Sequence, residues 1–330
     1  MIRFAVLGCG RIGRMHARNL ARHPRAELVS VFDIAAKAAA DTAAELGVSA
    51  AATVEEVLAD ARVQAVLIAT STDTHVPLIV AAAKAGKAVL CEKPIDLDLK
   101  RAEACGAEIA PLKATVMIGF NRRFDPSFRA VRERMLAGEI GTLEQLVITS
   151  RDPSPPPIAY IKVSGGIFRD MTIHDFDMAR YLAGDIDSVF ATGGNLIDPD
   201  IGAAGDIDAA MIVLRAKSGA LIHINNSRRC AYGYDQRVEA FGSAGMLQAA
   251  NQFATSVTAW GKHGTSTADT AQPFFIERYA DAYAAEIDHF VESVLTGKPP
   301  MSDFADGVAA LKLAEAAGES LRSGKAVSLG

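Results

Sequence analysis

Lys93 stands in an unusual place for an ammonium group. The run Ala88-Val89-Leu90-Cys91 reads as a short buried strand, and Glu92-Lys93-Pro94 follows it directly. The lysine therefore sits at the strand's carboxyl end, which in open α/β sheets is where ligands bind. A solvated loop lysine is the plain alternative, because most lysines are exposed. A second candidate pair lies in Gly165-Gly166-Ile167-Phe168-Arg169-Asp170-Met171-Thr172-Ile173-His174-Asp175. Asp170 and His174 are four apart, so both can face one side where a helix begins. An imidazole with an unperturbed pKa of about 6.5 suits proton acceptance at neutral pH, and a neighbouring carboxylate fixes its tautomer. A local helix-capping pair is the competing reading. Asp175 and Asp177 read as serving the helix start and its solvated face.

Gly8-Cys9-Gly10-Arg11-Ile12-Gly13 is a G-x-G-x-x-G lying after a strand and opening a helix. Glycine is required for the tight turn, for close approach of the backbone to a pyrophosphate, and for packing helix on strand. The helix start then offers free N–H groups to phosphates. Asp33 follows Gly13 by twenty residues and can hold the adenosine ribose hydroxyls. Its charge repels a 2′-phosphate and Ile34 offers no phosphate donor, so NAD is favoured over NADP. Lys37 could act the other way, although an exposed helix lysine is the commoner explanation. Thr70-Ser71-Thr72-Asp73-Thr74-His75 borders the same crevice, with His75 read as structural or cofactor-adjacent. The cofactor-contacting set is thus Gly8, Gly10, Arg11, Ile12, Gly13, Asp33, Thr70, Ser71, Thr72, His75, Glu92 and Lys93. Oxidising an alcohol needs hydride departure from carbon and proton removal from oxygen. A nicotinamide cofactor does the first. His174 can do the second, with Lys93 hydrogen-bonding the same oxygen.

These groups need a scaffold, and 330 residues with half of them hydrophobic suffice for two domains. A net charge of -5 gives no broad basic surface, which argues against nucleic acid as a partner and for a small substrate. Cys9, Cys91, Cys105 and Cys230 have no metal-ligand spacing, so no metal is expected; reduced thiols suit a cytoplasmic protein. No run approaches a membrane span. Up to about residue 120 the pattern alternates strands (Arg3 to Leu7, Glu27 to Phe32, Ala65 to Ala69, Ala88 to Cys91, Thr115 to Ile118) with alanine-rich helices, predicting a doubly wound parallel sheet. Beyond it come a helix over Asp125 to Leu136, a strand over Leu143 to Thr149, a rigid loop at Asp152 to Pro157 and a helix over Thr172 to Leu182. A cluster of strands between Ser188 and Trp260, several joined by short turns, predicts an antiparallel sheet, and helices over Ile276 to Leu295 and Phe304 to Arg322 close the chain.

The glycine turn, Glu92-Lys93-Pro94, and Asp170 with His174 together resemble the glucose-fructose oxidoreductase/inositol dehydrogenase (Gfo/Idh/MocA) family over essentially the whole chain. Gly119-Phe120-Asn121-Arg122-Arg123-Phe124-Asp125, Ser150-Arg151-Asp152-Pro153 and Tyr232-Gly233-Tyr234-Asp235 add to the likeness. The resemblance implies an α/β fold: an N-terminal Rossmann domain over 1–120 and a C-terminal α+β domain over 121–330 with an open-faced, mainly antiparallel sheet. It implies NAD as cofactor and Lys93, Asp170 and His174 as the catalytic group. Arg122 or Asn121 would help bind polyol hydroxyls, and Tyr232 or Tyr234 would reach the substrate. It further implies a homo-oligomer, tetramer or dimer, and oxidation of a ring hydroxyl of myo-inositol to an inosose. Another inositol isomer, a pyranose or an anhydrosugar is the alternative substrate, and a non-catalytic dinucleotide-binding sensor the alternative role.

Overall fold

The computed structural model describes residues 1–262 and 264–330. The chain forms two compact units. The first joins Met1–Phe124 to Asp281–Leu311, and the second joins Asp125–Ala280 to Lys312–Gly330. The first unit thus includes a returning segment from near the chain end.

The first unit runs β1 (Ile2–Leu7), α1 (Arg11–Arg22), β2 (Ala26–Phe32), α2 (Ala36–Leu46), β3 (Ser49–Ala50), α3 (Val54–Ala59), β4 (Ala65–Ile68), α4 (His75–Lys84), β5 (Ala88–Glu92), α5 (Leu99–Ile109) and β6 (Val116–Gly119). Its six strands are parallel in the order β3-β2-β1-β4-β5-β6, a Rossmann-type sheet whose order reverses between β1 and β4. All of β4 and β6 is buried, as expected of strands covered on both faces. Helix α1 buries Gly13, His16, Ala17 and Leu20, the spacing of one helical face. Helix α2 stops at Gly47, which takes the left-handed conformation (φ 68°).

The returning segment completes this core. Phe290 meets Phe4 of β1 with ring centroids 5.9 Å apart. The Ile118 N–H donates to Ser302 O (2.9 Å), and Ser302 Oγ donates to Ile118 O (2.8 Å).

The second unit begins with α6 (Pro126–Leu136), β7 (Leu143–Arg151), α7 (Ile158–Ser164), α8 (Ile167–Asp170), α9 (Ile173–Ala183), β8 (Ile186–Gly194) and α10 (Pro199–Ala203). It continues through β9 (Ala209–Ala216), β10 (Leu221–Ser227), β11 (Asp235–Gly242), β12 (Gly245–Ala249), the pair β13 (Thr258–Gly261) and β14 (Gly264–Ala268), and α11 (Phe275–Arg278). Helix α12 (Ala280–Thr296) leads into the first unit, α13 (Phe304–Ser323) leads back, and β15 (Val327–Ser328) joins the sheet edge. The seven strands run β12-β11-β7-β10-β9-β8-β15. Only β7 and β10 pair in parallel, so the sheet is mixed though mainly antiparallel. A long connection through other elements permits that parallel pair, which no short turn could make. Alternation along β9 buries Ile212 and Leu214 and exposes Met211 and Val213, leaving one face open.

One expectation needs correction, and two hold. The loop expected over Asp152–Pro157 is present and leads directly into α7, with Pro157 supplying the extended residue before the helix. The helix predicted over Ile276–Leu295 is two, interrupted at Tyr279, whose ring is buried against Tyr234. The helix expected over Thr172–Leu182 is present as α9, offset by one residue at each end and preceded by the separate turn α8.

Candidate active site

The carboxyl edge of the six-stranded sheet gathers most of the first unit's candidate residues. The glycine loop leaves β1, Asp33 leaves β2, Thr70 leaves β4, Lys93 leaves β5 and Asn121 leaves β6. At the β1/β4 switch point the loops touch: a Cβ on Gly8 (φ +98°) would stand 2.4 Å from Ala69 O. A Cβ on Gly13 would stand 1.9 Å from Gly8 O, whereas one on Gly10 would meet nothing within 4 Å. Gly8 and Gly13 are thus fixed by packing, and the Gly10 side of the turn is open to an approaching phosphate at the start of α1, beside Arg11 and Ile12.

Asp33 Oδ2 accepts the Cys9 N–H (2.6 Å) and Oδ1 the Ala35 N–H (2.8 Å), so the carboxylate is oriented by the loop it faces. Lys37 is bound to Asp41 (2.8 Å), whose carboxyl it holds below the ordinary range, and Ile34 is 97% exposed. Asp33 is thus held at the end of β2 by two backbone N–H groups, with Lys37 engaged elsewhere. The residues fit NAD.

Thr70 Oγ1 and Thr74 Oγ1 lie 2.6 Å apart, Thr74 Oγ1 donates to Ser71 O, and Thr72–Thr74 form a single 3-10 turn ahead of α4. His75 is built into the packing beneath this crevice. It is 1% exposed, with Nδ1 2.8 Å from Pro94 O and Nε2 3.2 Å from Thr70 O. Burial holds its pKa below the usual value, against the opposing pull of those two carbonyls. The ring ties the β4 loop to the turn carrying Lys93.

Lys93 itself is half-buried, and its bond to Pro94 is cis. Its N–H donates to Glu92 Oε2 (3.3 Å), and Glu92 Oε1 takes His16 Nε2 at 2.8 Å. Glu92 therefore braces the lysine's turn against α1. Glu286 of α12 is fully buried, with no hydrogen-bond partner for either carboxylate oxygen among the described residues. Burial drives its pKa well above normal, and the charge of Glu92 adds to the effect. Asn121 and Arg122 form a buried 3-10 turn after β6, and the Asn121 Nδ2 finds no acceptor among the described residues.

In the second unit, Asp170 ends α8 and His174 is the second residue of α9. Since α8 stops at Asp170 and α9 starts only at Ile173, the two do not share one regular helix, and the His174 N–H donates to Met171 O (3.3 Å) in the turn between. His174 is half-buried between fully buried Ile173 and Asp175. Asp175 and Asp177 are 0% and 1% exposed, contrary to a solvated-face reading. Asp175 accepts from Ser150 Oγ of β7 (2.6 Å) and Asn226 Nδ2 of β10 (2.8 Å), and Thr172 Oγ1 donates to Asn226 Oδ1 (2.6 Å). The start of α9 is thereby fastened to the central strands. The Asp170 carboxylate accepts from Tyr160 Oη (2.8 Å) and Arg228 Nη1 (3.0 Å), two residues that sequence reasoning passed over.

The structure also separates the two tyrosines. Tyr234 is buried edge-on against Phe274 (5.5 Å) and Tyr279, a core position. Tyr232 is 55% exposed, donates to Asp235 Oδ2 (2.7 Å) and accepts from Arg151 Nη1 (2.6 Å). Partial burial and the Asp235 carboxylate raise its pKa. Among the described residues no cluster of His, Cys, Asp and Glu could hold a metal ion.

Comparisons with known proteins agree along the whole chain. Residues 2–120 match the family model of an oxidoreductase family with an NAD-binding Rossmann fold, and residues 128–248 match the GFO/IDH/MocA C-terminal domain. An inositol 2-dehydrogenase of Rhizobium meliloti is 48% identical over 99% of both chains. A myo-inositol 2-dehydrogenase of Thermotoga maritima is 46% identical over 99% of this chain and 98% of that one. The crystal structure of a scyllo-inositol dehydrogenase from Lactobacillus casei, with bound NAD(H) and scyllo-inositol, superposes with a TM-score of 0.92 at 30% identity, covering 99% of each chain. The matched domains, the glycine turn and the oriented Asp33 together identify the chain as a member of the Gfo/Idh/MocA family and an NAD-dependent oxidoreductase.

Proposed function

We propose that the protein oxidises myo-inositol at one ring hydroxyl to the corresponding inosose. The observation that carries this reading is the near-full-length similarity, at 48% and 46% identity, to two enzymes named as inositol 2-dehydrogenases. NAD, when bound, supplies the hydride acceptor. His174 takes the hydroxyl proton, Asp170 orients its ring, and Lys93 donates a hydrogen bond to the reacting oxygen as negative charge develops there. The half-buried settings of Lys93 and His174 suit groups that reach a ligand from a fixed base. Asn121 and Arg122 serve the remaining hydroxyls, and Tyr232, the exposed tyrosine, is favoured over Tyr234 for substrate contact.

The reading extends to a homo-oligomer, dimer or tetramer, built on the open face of the seven-stranded sheet. Phe190, Met211, Val213, Leu221, Phe241 and Met246 are all exposed there. Four free, buried cysteines suit work in the reducing cytoplasm. The relative with bound scyllo-inositol favours a second reading, in which another inositol isomer is the better substrate.

NAD reduction measured with myo-inositol, scyllo-inositol and glucose tests the substrate. His174→Ala should lower kcat at least about 100-fold, the range of a general base, while NAD affinity stays near the parent's. Unchanged turnover in that variant would remove the proposed base.

A further inference from the structure

Arg228 follows β10 in the string Ser227-Arg228-Arg229, where a solvated turn would be the ordinary expectation, yet it is 0% exposed. Its Nη1 donates to Asp170 Oδ2 (3.0 Å) and its Nη2 to Asp206 Oδ2 (3.2 Å). Asp206 is fixed in turn, because its Oδ1 accepts the Ile167 N–H at the start of α8 (2.9 Å). Gly166 is needed for that contact: its φ is +82°, and a Cβ there would come 2.9 Å from Asp206 Oδ1. The other Asp170 oxygen accepts from Tyr160 Oη, so the carboxylate is gripped from two directions.

We propose that Arg228 is a positioning residue that acts through Asp170: it fixes the carboxylate as an immobile acceptor, so that the substrate proton stays on His174. The inference rests on the function proposed above. A guanidinium suits the task because its planar fork spans two carboxylates in set directions, which a lysine cannot do. The second carboxylate matters as well. Asp170 and Arg228 alone would pair one carboxylate with one guanidinium, whereas Asp206 brings a second carboxylate, so the part-buried cluster carries one carboxylate in excess. That charge favours the imidazolium formed when His174 accepts a proton. Arg228 thus holds Asp170 without cancelling the field that His174 requires.

A double-mutant cycle on the full-length protein tests this. Arg228→Met should lower kcat by about 10- to 100-fold, the range seen when outer partners that orient metal ligands are removed, with NAD affinity by calorimetry unchanged. In an Asp170→Asn background the same substitution should cost less than about twofold, because residues acting as one unit are not additive. Arg228→Lys carries the same cycle if the methionine variant does not fold. Tyr160→Phe, at an exposed position, should lower kcat several-fold and be silent in the Asp170→Asn background. An Arg228 effect that persists in full without Asp170, or parental kcat in Arg228→Met, overturns the inference. Parental turnover in Asp170→Asn alone would overturn the function on which it rests.

Discussion

Two alanine substitutions within one glycine motif should fail in opposite ways. At Gly13 a Cβ would lie 1.9 Å from Gly8 O, where ordinary contact begins at 3.4 Å, so one group must move by about 1.5 Å. Gly8 cannot yield, since its own Cβ direction is closed by Ala69 O at 2.4 Å. Overpacking of this kind costs about 1–3 kcal/mol, and at about 2–4 °C per kcal/mol Gly13→Ala should melt roughly 2–12 °C below the parent. Gly10 has φ -70°, which alanine adopts freely, and open space at its Cβ. Gly10→Ala should lose at most about 1 kcal/mol, for the poorer helix cap. Its methyl, however, stands where a pyrophosphate must approach, and a tenfold or greater loss of NAD affinity, about 1.4 kcal/mol, is expected. Calorimetric melting and NAD titration of both variants measure the contrast. A Gly10→Ala protein that binds NAD like the parent, or a Gly13→Ala protein that melts with it, would refute the assignment of packing to one glycine and ligand approach to the other.

Two further expectations follow from buried charge. Because Glu286 has its pKa raised by burial, the folded state binds more protons than the unfolded one at pH values above the ordinary carboxyl value of 4.5. Stability should therefore fall as pH rises from there toward the folded-state pKa, by up to about 1.4 kcal/mol per pH unit, and Glu286→Gln should lack that slope. Urea unfolding of both proteins at pH 5, 6 and 7 measures it, and parallel curves would count against a buried neutral acid. Asp125 pairs with the fully buried Arg278 (2.5 Å) and also caps α6 through the Ser127 and Phe128 N–H groups. Asp125→Ala strands that guanidinium and should cost about 3–5 kcal/mol in denaturant unfolding; a loss under about 1 kcal/mol would contradict the pairing.

What could be read from sequence follows the physics of each signal. Strands β4 and β5 announce themselves because parallel strands covered on both faces are continuous apolar runs, and the glycine loop because its backbone demands glycine. The two-residue β3 and the short α3 carry too few residues for any periodicity. Helix α7 hides behind prolines that suggest an extended loop, and Tyr160 is hidden with it. Asp175, Asp177 and Arg228 look like surface charges from their types alone. Their burial depends on partners far along the chain, such as Ser150 and Asn226 for Asp175 and Asp206 for Arg228, which no local pattern links. The candidate residues stand out in the sequence by type and spacing, whereas the groups that hold them in place do not.

The returning segment has a consequence for synthesis on the ribosome. Phe4 and Ile118 are made early, but Phe290 and Ser302, which close over them, emerge only after the whole span Asp125–Ala280 has been translated. At about 5–20 residues per second that interval is roughly 10–30 s. During it the nascent nucleotide-binding sheet lacks part of its wall, and its apolar side is open to chaperones or to another emerging chain. A fragment ending near residue 124 would be caught permanently in that state. For this protein, then, the dinucleotide-binding half is the first to be started and among the last to be finished.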